Sequence, residues 1–170
     1  TEIYLKNPDG TGEQRLTDDK GSDSSPTFSP DGRQLAFVSD RAGRPNIYVM
    51  NTDGTNVHRI SRQGGSAYDP AWSPDGNSIA YIVEKEGEGL ELYTMNPDGT
   101  NVRQLSSSGG SNESPAWSAD SRHIMFSSDR SGGTQLHTAT LATGVIRKVP
   151  NLNDLKCEGP SWGPRRTPKR

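Results

Sequence analysis

The segment Pro70-Ala71-Trp72-Ser73-Pro74-Asp75-Gly76 recurs along this chain in four versions. The other versions are Pro26-Thr27-Phe28-Ser29-Pro30-Asp31-Gly32, Pro115-Ala116-Trp117-Ser118-Ala119-Asp120-Ser121 and the shorter Pro160-Ser161-Trp162-Gly163-Pro164. The leading prolines lie 44, 45 and 45 residues apart. Self-similarity at a fixed period of this length indicates a repeat architecture in which each repeat is one supersecondary unit.

A second motif keeps the same period. Its versions are Ile3-Tyr4-Leu5-Lys6-Asn7-Pro8-Asp9-Gly10, Ile47-Tyr48-Val49-Met50-Asn51-Thr52-Asp53-Gly54, Leu92-Tyr93-Thr94-Met95-Asn96-Pro97-Asp98-Gly99 and the degenerate Leu136-His137-Thr138-Ala139-Thr140. Short apolar runs and tight-turn residues alternate between the two motifs. The pattern predicts four short strands per repeat, here named a to d, which is the arrangement of a β-propeller blade.

The repeat that starts near Ser25 shows the physical basis of this prediction. Pro30-Asp31-Gly32 predicts a tight turn, because proline presets φ, aspartate bonds its own backbone and glycine accepts a positive φ. Leu35 to Val38 is apolar on consecutive residues, so both faces of strand b must be covered. Blades that pack face to face meet this requirement.

The whole chain is therefore expected to be all-β, with one partial propeller domain over residues 1–164. Three full blades are expected at about 25–61, 69–106 and 114–149. Residues 1–17 provide only strands c and d, and residues 159–163 provide only strand a, so both end blades are partial. Residues 165–170 form a basic tail. We expect an open arc that associates with a second copy or with missing blades, because the faces of repeat arrays need a neighbour.

Composition excludes several classes of function. The net charge is −2 and the pI about 5.9, so nucleic acid is not an expected partner. No apolar run is long enough to embed the chain in a membrane. The three histidines do not repeat in register, and Gly-x-Ser-x-Gly is absent. We therefore predict no catalytic residue, no metal and no cofactor.

The predicted binding surface lies on the loops that join strands b to c and strands d to a. These loops vary in length and composition, and variable loops on a rigid frame commonly carry function. An acid precedes each motif proline. Because strand a is innermost, we expect these acids and two neighbours to line the channel mouth: Asp23, Tyr68, Asp69, Asn112, Glu113 and Glu158. Three roles stay open for the acids, namely solvated capping of strand starts, contacts to basic groups of a partner, and a cation site.

A second set of residues is expected to be structural. Phe28, Trp72, Trp117 and Trp162 recur at one blade position and are predicted to pack in the core. The pairs Asp40-Arg41 and Asp129-Arg130 follow strand b and are predicted to tie one blade to the next.

The linked motifs resemble the TolB-type β-propeller repeat. The resemblance is carried by Pro26 to Gly54, is repeated from Pro70 and from Pro115, and covers nearly the whole chain. Departures occur at Val83-Glu84-Lys85, where other repeats have Ser-Asp-Arg, and at Ala119-Asp120-Ser121 in place of Pro-Asp-Gly.

The resemblance implies a non-enzymatic, protein-binding scaffold propeller of the bacterial Tol–Pal envelope system. Its location would be the periplasm and its partner a lipoprotein or another envelope protein. The same repeat also occurs in propellers attached to serine peptidases and in oligogalacturonate lyase-like enzymes. The non-catalytic portion of a larger enzyme, and a structural array closed by oligomerisation, are therefore the alternatives.

Overall fold

The computed structural model describes residues 1–62, 64–107, 110–150 and 157–163. Across these residues all regular secondary structure is β: one two-stranded ribbon and three four-stranded antiparallel sheets, each with its strands in chain order. The ribbon is β1 (Tyr4–Leu5) and β2 (Gln14–Arg15). The first blade is β3 (Asp23–Phe28), β4 (Gln34–Ser39), β5 (Asn46–Asn51) and β6 (His58–Arg59). The second is β7 (Ser66–Trp72), β8 (Ile79–Lys85), β9 (Gly89–Met95) and β10 (Arg103–Gln104). The third is β11 (Asn112–Trp117), β12 (His123–Ser128), β13 (Gln135–Thr140) and β14 (Ile146–Lys148).

The predicted fold class is confirmed, and one local feature differs from expectation. Each innermost strand begins two or three residues earlier than the pattern suggested, and a β-bulge at the motif proline interrupts its pairing with the next strand. The residue before each proline has a positive φ: +51° at Ser25, +50° at Asp69 and +53° at Ser114. The extra residue of a bulge bends the strand and re-aims its side chains. Sequence periodicity alone does not reveal such an insertion.

The C-terminal partial blade forms no regular strand within residues 157–163. It nevertheless follows the path of an innermost strand. Cys157 N donates to Thr134 O at 3.2 Å, as Ala67 N does to Pro45 O at 2.9 Å in the second blade. Gly159 has φ +58°, like the bulge residues of the full blades. The basic tail at 165–170 lies outside the described residues.

The core consists of layers between successive blades. In β8, Ile79, Tyr81 and Val83 pack against the first blade. The alternate residues Ala80 and Ile82 pack against the third blade. Both sets are almost completely buried, and the period of two along a strand sends them to opposite faces. The consecutive apolar run in the sequence is thus explained by burial on both faces of the sheet.

The recurrent aromatic position behaves differently in different blades. The Trp117 indole is buried, and its Nε1 donates to the Ala71 carbonyl of the preceding blade at 2.8 Å. Trp162 Nε1 makes the same bond to Ala116 O at 2.9 Å. Trp72 is also buried but donates within its own blade, to Gly76 O at 3.2 Å.

The expectation that all four aromatic residues pack in the core is wrong for Phe28 and Trp162. Phe28 is 50% exposed and Trp162 is 37% exposed. The described ribbon before Phe28 has no inner strands for the ring to pack against. Trp162 bonds Ala116 of the third blade, and the described residues contain no strand beyond it.

Replacing Trp117 by alanine should lower the free energy of unfolding by about 3–5 kcal/mol, because a large buried side chain and an inter-blade hydrogen bond are lost together. Trp72→Ala should have a similar effect. Phe28→Ala is the matched control at the same repeat position, and it should cost about 1 kcal/mol or less. Urea unfolding of the three variants measures these changes in the free energy of unfolding. Equal losses for Phe28→Ala and Trp117→Ala would contradict the assignment of the blade core.

Candidate functional site

The predicted site residues lie where strand a begins, at three different offsets from the motif proline. The position three residues before the proline is occupied by Asp23, Ala67, Asn112 and Cys157 in successive repeats. The position two residues before it is occupied by Ser24, Tyr68, Glu113 and Glu158. The position directly before it is occupied by Ser25, Asp69, Ser114 and Gly159. Successive residues of a strand point to opposite faces. The four acids therefore do not share one structural position, and each has its own surroundings at this end of the blades.

Asp23 and Asn112 point into the protein and not toward an open channel mouth. Both are completely buried. Asp23 accepts a hydrogen bond from Arg41 Nη2 at 2.8 Å, and its Oδ1 has no hydrogen-bond partner within the described residues. The Arg41 guanidinium also lies over the rings of Phe37 and Tyr48, at 5.7 and 5.2 Å from their centroids. These contacts make the Asp23 position structural.

Asn112 joins the second blade to the third. Its Nδ2 donates to the Leu90 carbonyl at 2.5 Å and to Glu91 Oε2 at 3.2 Å, both in the second blade. Its Oδ1 accepts from Arg130 Nη2 at 2.5 Å. Ser106 Oγ donates to the same Glu91 carboxylate, which is only 3% exposed. A buried carboxylate is tolerated when hydrogen bonds of this kind replace its water.

Within the described residues the Asp-Arg pairs bond their own inner strand and the connection that leads into it, where Arg41 also lies 3.9 Å from Asp19. Asp40 and Asp129 accept from the backbone N–H groups of Ser22 and Ser111, each at 2.7 Å. Arg130, like Arg41, bonds a strand-a side chain of its own blade. The connection from Arg130 to the neighbouring blade runs through the amide of Asn112. Burial lowers the pKa of Arg130, while Glu91 and Asp129 act in the opposite direction.

The other predicted residues lie at the surface of this end of the blades. Tyr68 is half-buried against the core between the second and third blades, and its hydroxyl donates to Glu84 Oε2 at 3.1 Å. Glu113 and Glu158, at the equivalent position, are exposed. Asp69 differs from them, since its Oδ2 accepts from Ser114 N of the next strand a at 3.1 Å. A tyrosine and two carboxylates thus share one surface position in successive repeats.

Sequence reasoning missed one pair, Ser131 and His137. Ser131 Oγ lies 3.2 Å from His137 Nε2, and His137 Nδ1 lies 3.3 Å from the Gln135 carbonyl oxygen. Burial, and then the charges of Arg130 and Lys148, lower the pKa of His137. No carboxylate among the described residues bonds this imidazole, so within that part of the chain the pair lacks the third group of a catalytic triad. The available sequence signal was that His137 replaces the tyrosine of the second motif.

In the described ranges no three His, Cys, Asp or Glu side chains are grouped so that they could hold a metal ion. The same ranges contain no helix that is long and apolar enough to cross a bilayer.

The stacked four-stranded antiparallel sheets, linked by inner-strand and indole hydrogen bonds, define a β-propeller of repeated blades. Residues 1–87 and 63–167 match the TolB beta propeller domain, and the chain belongs to that family.

Relatives of the chain are longer proteins. A Protein TolB homolog of Chlorobium luteolum is 52% identical over 46 residues, which are 27% of this chain and 11% of that protein. The crystal structure of TolB from Acinetobacter baumannii superposes with a TM-score of 0.77 at 24% identity, over 86% of this chain and 37% of that one. A puromycin-hydrolyzing peptidase of Mycobacterium tuberculosis gives a TM-score of 0.68 at 17% identity, over 86% and 27% of the two chains. The likeness to both structures concerns the fold.

Asn112→Ala should lower the free energy of unfolding by about 2–4 kcal/mol, because it leaves Arg130 without its acceptor and the buried Glu91 without one of its donors. The control is Glu113→Ala, one residue along the same strand but exposed, and it should change stability by about 0.5 kcal/mol or less. Chemical denaturation of both variants measures the difference. A stability loss no larger than that of the control would show that the Asn112 network does not hold the blades together.

Proposed function

We propose that this chain is a non-enzymatic, protein-binding scaffold propeller of a bacterial envelope, acting in the periplasm in the manner of the Tol–Pal system. The observation that carries the proposal is Tyr68, a half-buried tyrosine at the surface end of an inner strand whose frame is otherwise repeated. An anchored aromatic ring with a polar tip is typical of the residues that dominate protein interfaces.

The charges around Tyr68 indicate the chemistry of the partner. Glu84 accepts a hydrogen bond from the Tyr68 hydroxyl. Glu113 and Glu158 occupy the position of Tyr68 in later repeats. Such a surface complements a partner that presents lysine or arginine side chains, and charges of this kind steer association. The proposed partner is therefore a lipoprotein or another envelope protein with a basic contact segment.

A second candidate function is the non-catalytic propeller portion of a larger enzyme. The likeness to the puromycin-hydrolyzing peptidase favours this candidate, although at 17% identity it concerns the fold alone. A hydrolase domain encoded in the same reading frame would favour this candidate over the scaffold. Turnover of ester, peptide or pectic substrates by the purified chain, abolished by His137→Ala or Ser131→Ala, would contradict both candidates.

Tyr68→Ala should weaken binding of the soluble domain of the cognate Tol–Pal lipoprotein about tenfold or more, the usual effect of truncating an aromatic anchor. Tyr4→Ala is the matched control, since Tyr4 is a 52% exposed tyrosine on the N-terminal ribbon. Titration calorimetry measures both variants. Equal affinities for Tyr68→Ala and the parent, with thermal stability unchanged, would exclude Tyr68 as the contact. No binding by the parent chain would exclude the proposed partner.

We also propose that the outward face of the third blade is covered by a further blade, from a longer chain or from a second copy. Met125, Leu136 and Thr138 lie partly exposed on this face, at positions that are Ala80, Leu92 and Thr94 in the second blade. In the second blade, the residues at these positions pack against the third blade or are buried beneath it. The inner-strand path of residues 157–163 on the third blade supports the proposal.

The 170-residue chain should accordingly self-associate at micromolar concentration, and sedimentation velocity should report a mass above 18.4 kDa. Thr138→Lys places a charge on the outward face and should shift the chain to monomer. Thr143→Lys, in an exposed turn, is the control and should leave association unchanged. A monomer that binds no apolar-surface dye would contradict an uncovered face.

A further inference from the structure

A cavity of about 450 Å³ lies between the outer strands of the second and third blades. Its lining from the second blade is Leu105, Ser106 and Ser107, and its lining from the third blade is Arg130, Ser131, His137, Gly144, Ile146 and Lys148. Two of these side chains are cations, three are hydroxyls, and none is acidic. The cavity shares no residue with the surface around Tyr68.

The cavity occurs where the repeat is broken at His137. In the second blade, Tyr93 occupies this position and its hydroxyl donates to Gln104 Oε1 at 2.6 Å across the outer strand pair. In the third blade the same register pairs His137 with Lys148. Imidazole is shorter than phenol and carries no terminal hydroxyl. The space that the Tyr93–Gln104 pair fills therefore has no equivalent pair to fill it, and both His137 and Lys148 line the cavity.

Lys148 is available to a ligand. At the equivalent position, Arg59 Nε and Gln104 Nε2 turn back to donate to the carbonyls of Ser61 and Ser106, at 2.5 and 2.8 Å. Lys148 makes no such bond, and its Nζ has no hydrogen-bond or ion-pair partner among the residues that the structure describes. Among the described residues, the three donors of this ammonium group, on an exposed strand edge that lines the cavity, thus have no acceptor.

Arg130 presents a second donor edge, which is already oriented. Its Nε donates to Ser128 Oγ at 2.9 Å and its Nη2 to Asn112 Oδ1 at 2.5 Å. The guanidinium carbon lies 5.4 Å from the centroid of the Phe126 ring. Nη1 has no partner among the described residues. These contacts fix the guanidinium plane, so little side-chain entropy is lost when a ligand binds to its free edge.

The nearest buried acid does not neutralise the cavity. Glu91 lies behind Ser106, accepts from that hydroxyl and from Asn112, and is not part of the lining. Its charge offsets part of the field of Arg130, and among the described residues Lys148 has no acidic partner. The Ser106, Ser107 and Ser131 hydroxyls add neutral hydrogen-bonding groups around the two charges.

We propose that this cavity binds a compact oxyanion, a phosphate or carboxylate group held between Arg130 and Lys148 with the serine hydroxyls as further hydrogen-bond partners. Charge-assisted hydrogen bonds from guanidinium and ammonium groups to oxyanions are the strong ones in proteins. His137, Ile146 and Lys148 of the lining belong to the paired strands β13 and β14, which hold this wall of the site in place before a ligand binds. The site lies between two outer strands, so it is distinct from the protein-binding surface proposed above.

The test is titration calorimetry of the whole chain at low ionic strength and fixed pH, with inorganic phosphate in one arm and succinate in the other. We expect saturable binding of at least one anion. His137→Tyr restores the tyrosine of the first two blades and should abolish binding without lowering the melting temperature. Lys148→Gln supplies the second-blade residue and should weaken binding roughly three- to tenfold.

Arg147→Gln is the matched control, because it removes the same charge from the same strand β14 while Arg147 pairs in register with Thr138 and not with His137. It should leave the dissociation constant unchanged within about twofold. Equal weakening by Arg147→Gln and Lys148→Gln would reduce the effect to general surface charge and overturn the proposal. Saturable binding that survives in folded His137→Tyr, or no binding of either anion, would overturn it as well. Binding of only one anion supports the site and identifies which oxyanion it prefers.

Discussion

Burial of both faces of each middle strand is the constraint on which the rest of this structure depends. Tyr81 and Ile82 are adjacent in the chain, yet one packs into the layer with the first blade and the other into the layer with the third. A sheet of this kind has no solvated face, so one blade cannot be stable without its neighbours. Each blade therefore depends on the next, and stability is shared along the array.

Polar groups at the loop end of the blades complete this packing. The middle strands end there in Ser39 and Ser128, and the Asp-Arg pairs that follow would be unfavourable near a core without partners. Each guanidinium has a buried acceptor on the inner strand of its own blade: Arg41 donates to Asp23, and Arg130 donates to Asn112. Asn112 also reaches the buried Glu91 of the preceding blade. Hydrogen bonds at the loop end of the blades thus connect neighbouring blades, in addition to the apolar layers between their faces.

Both proposed sites arise where one repeat differs from the others. Tyr68 stands where neighbouring repeats carry serine or glutamate, and His137 stands where they carry tyrosine. A substitution in a repeat leaves the frame intact, because the surrounding contacts are set by the neighbouring blades. At Tyr68 it produces an amphipathic surface, and at His137 it leaves a cavity lined by cations. Variation on a rigid frame is the usual route by which one fold acquires different functions.

The sequence by itself determined the blade architecture, since the 44–45-residue period, the consecutive apolar runs and the turn residues all indicate four-stranded blades. It also identified the end of the blades where Tyr68 lies. It did not place Asp23 or Asn112 inside the protein, because the bulge at the motif proline shifts the register of the inner strand. Nor did it place Lys148, Arg130 and Ser106 around one cavity, since they are far apart in the chain. Those contacts were decided only by the tertiary structure, because stacking places the edge of one blade against the next whereas sequence spacing reports neighbours within a single blade.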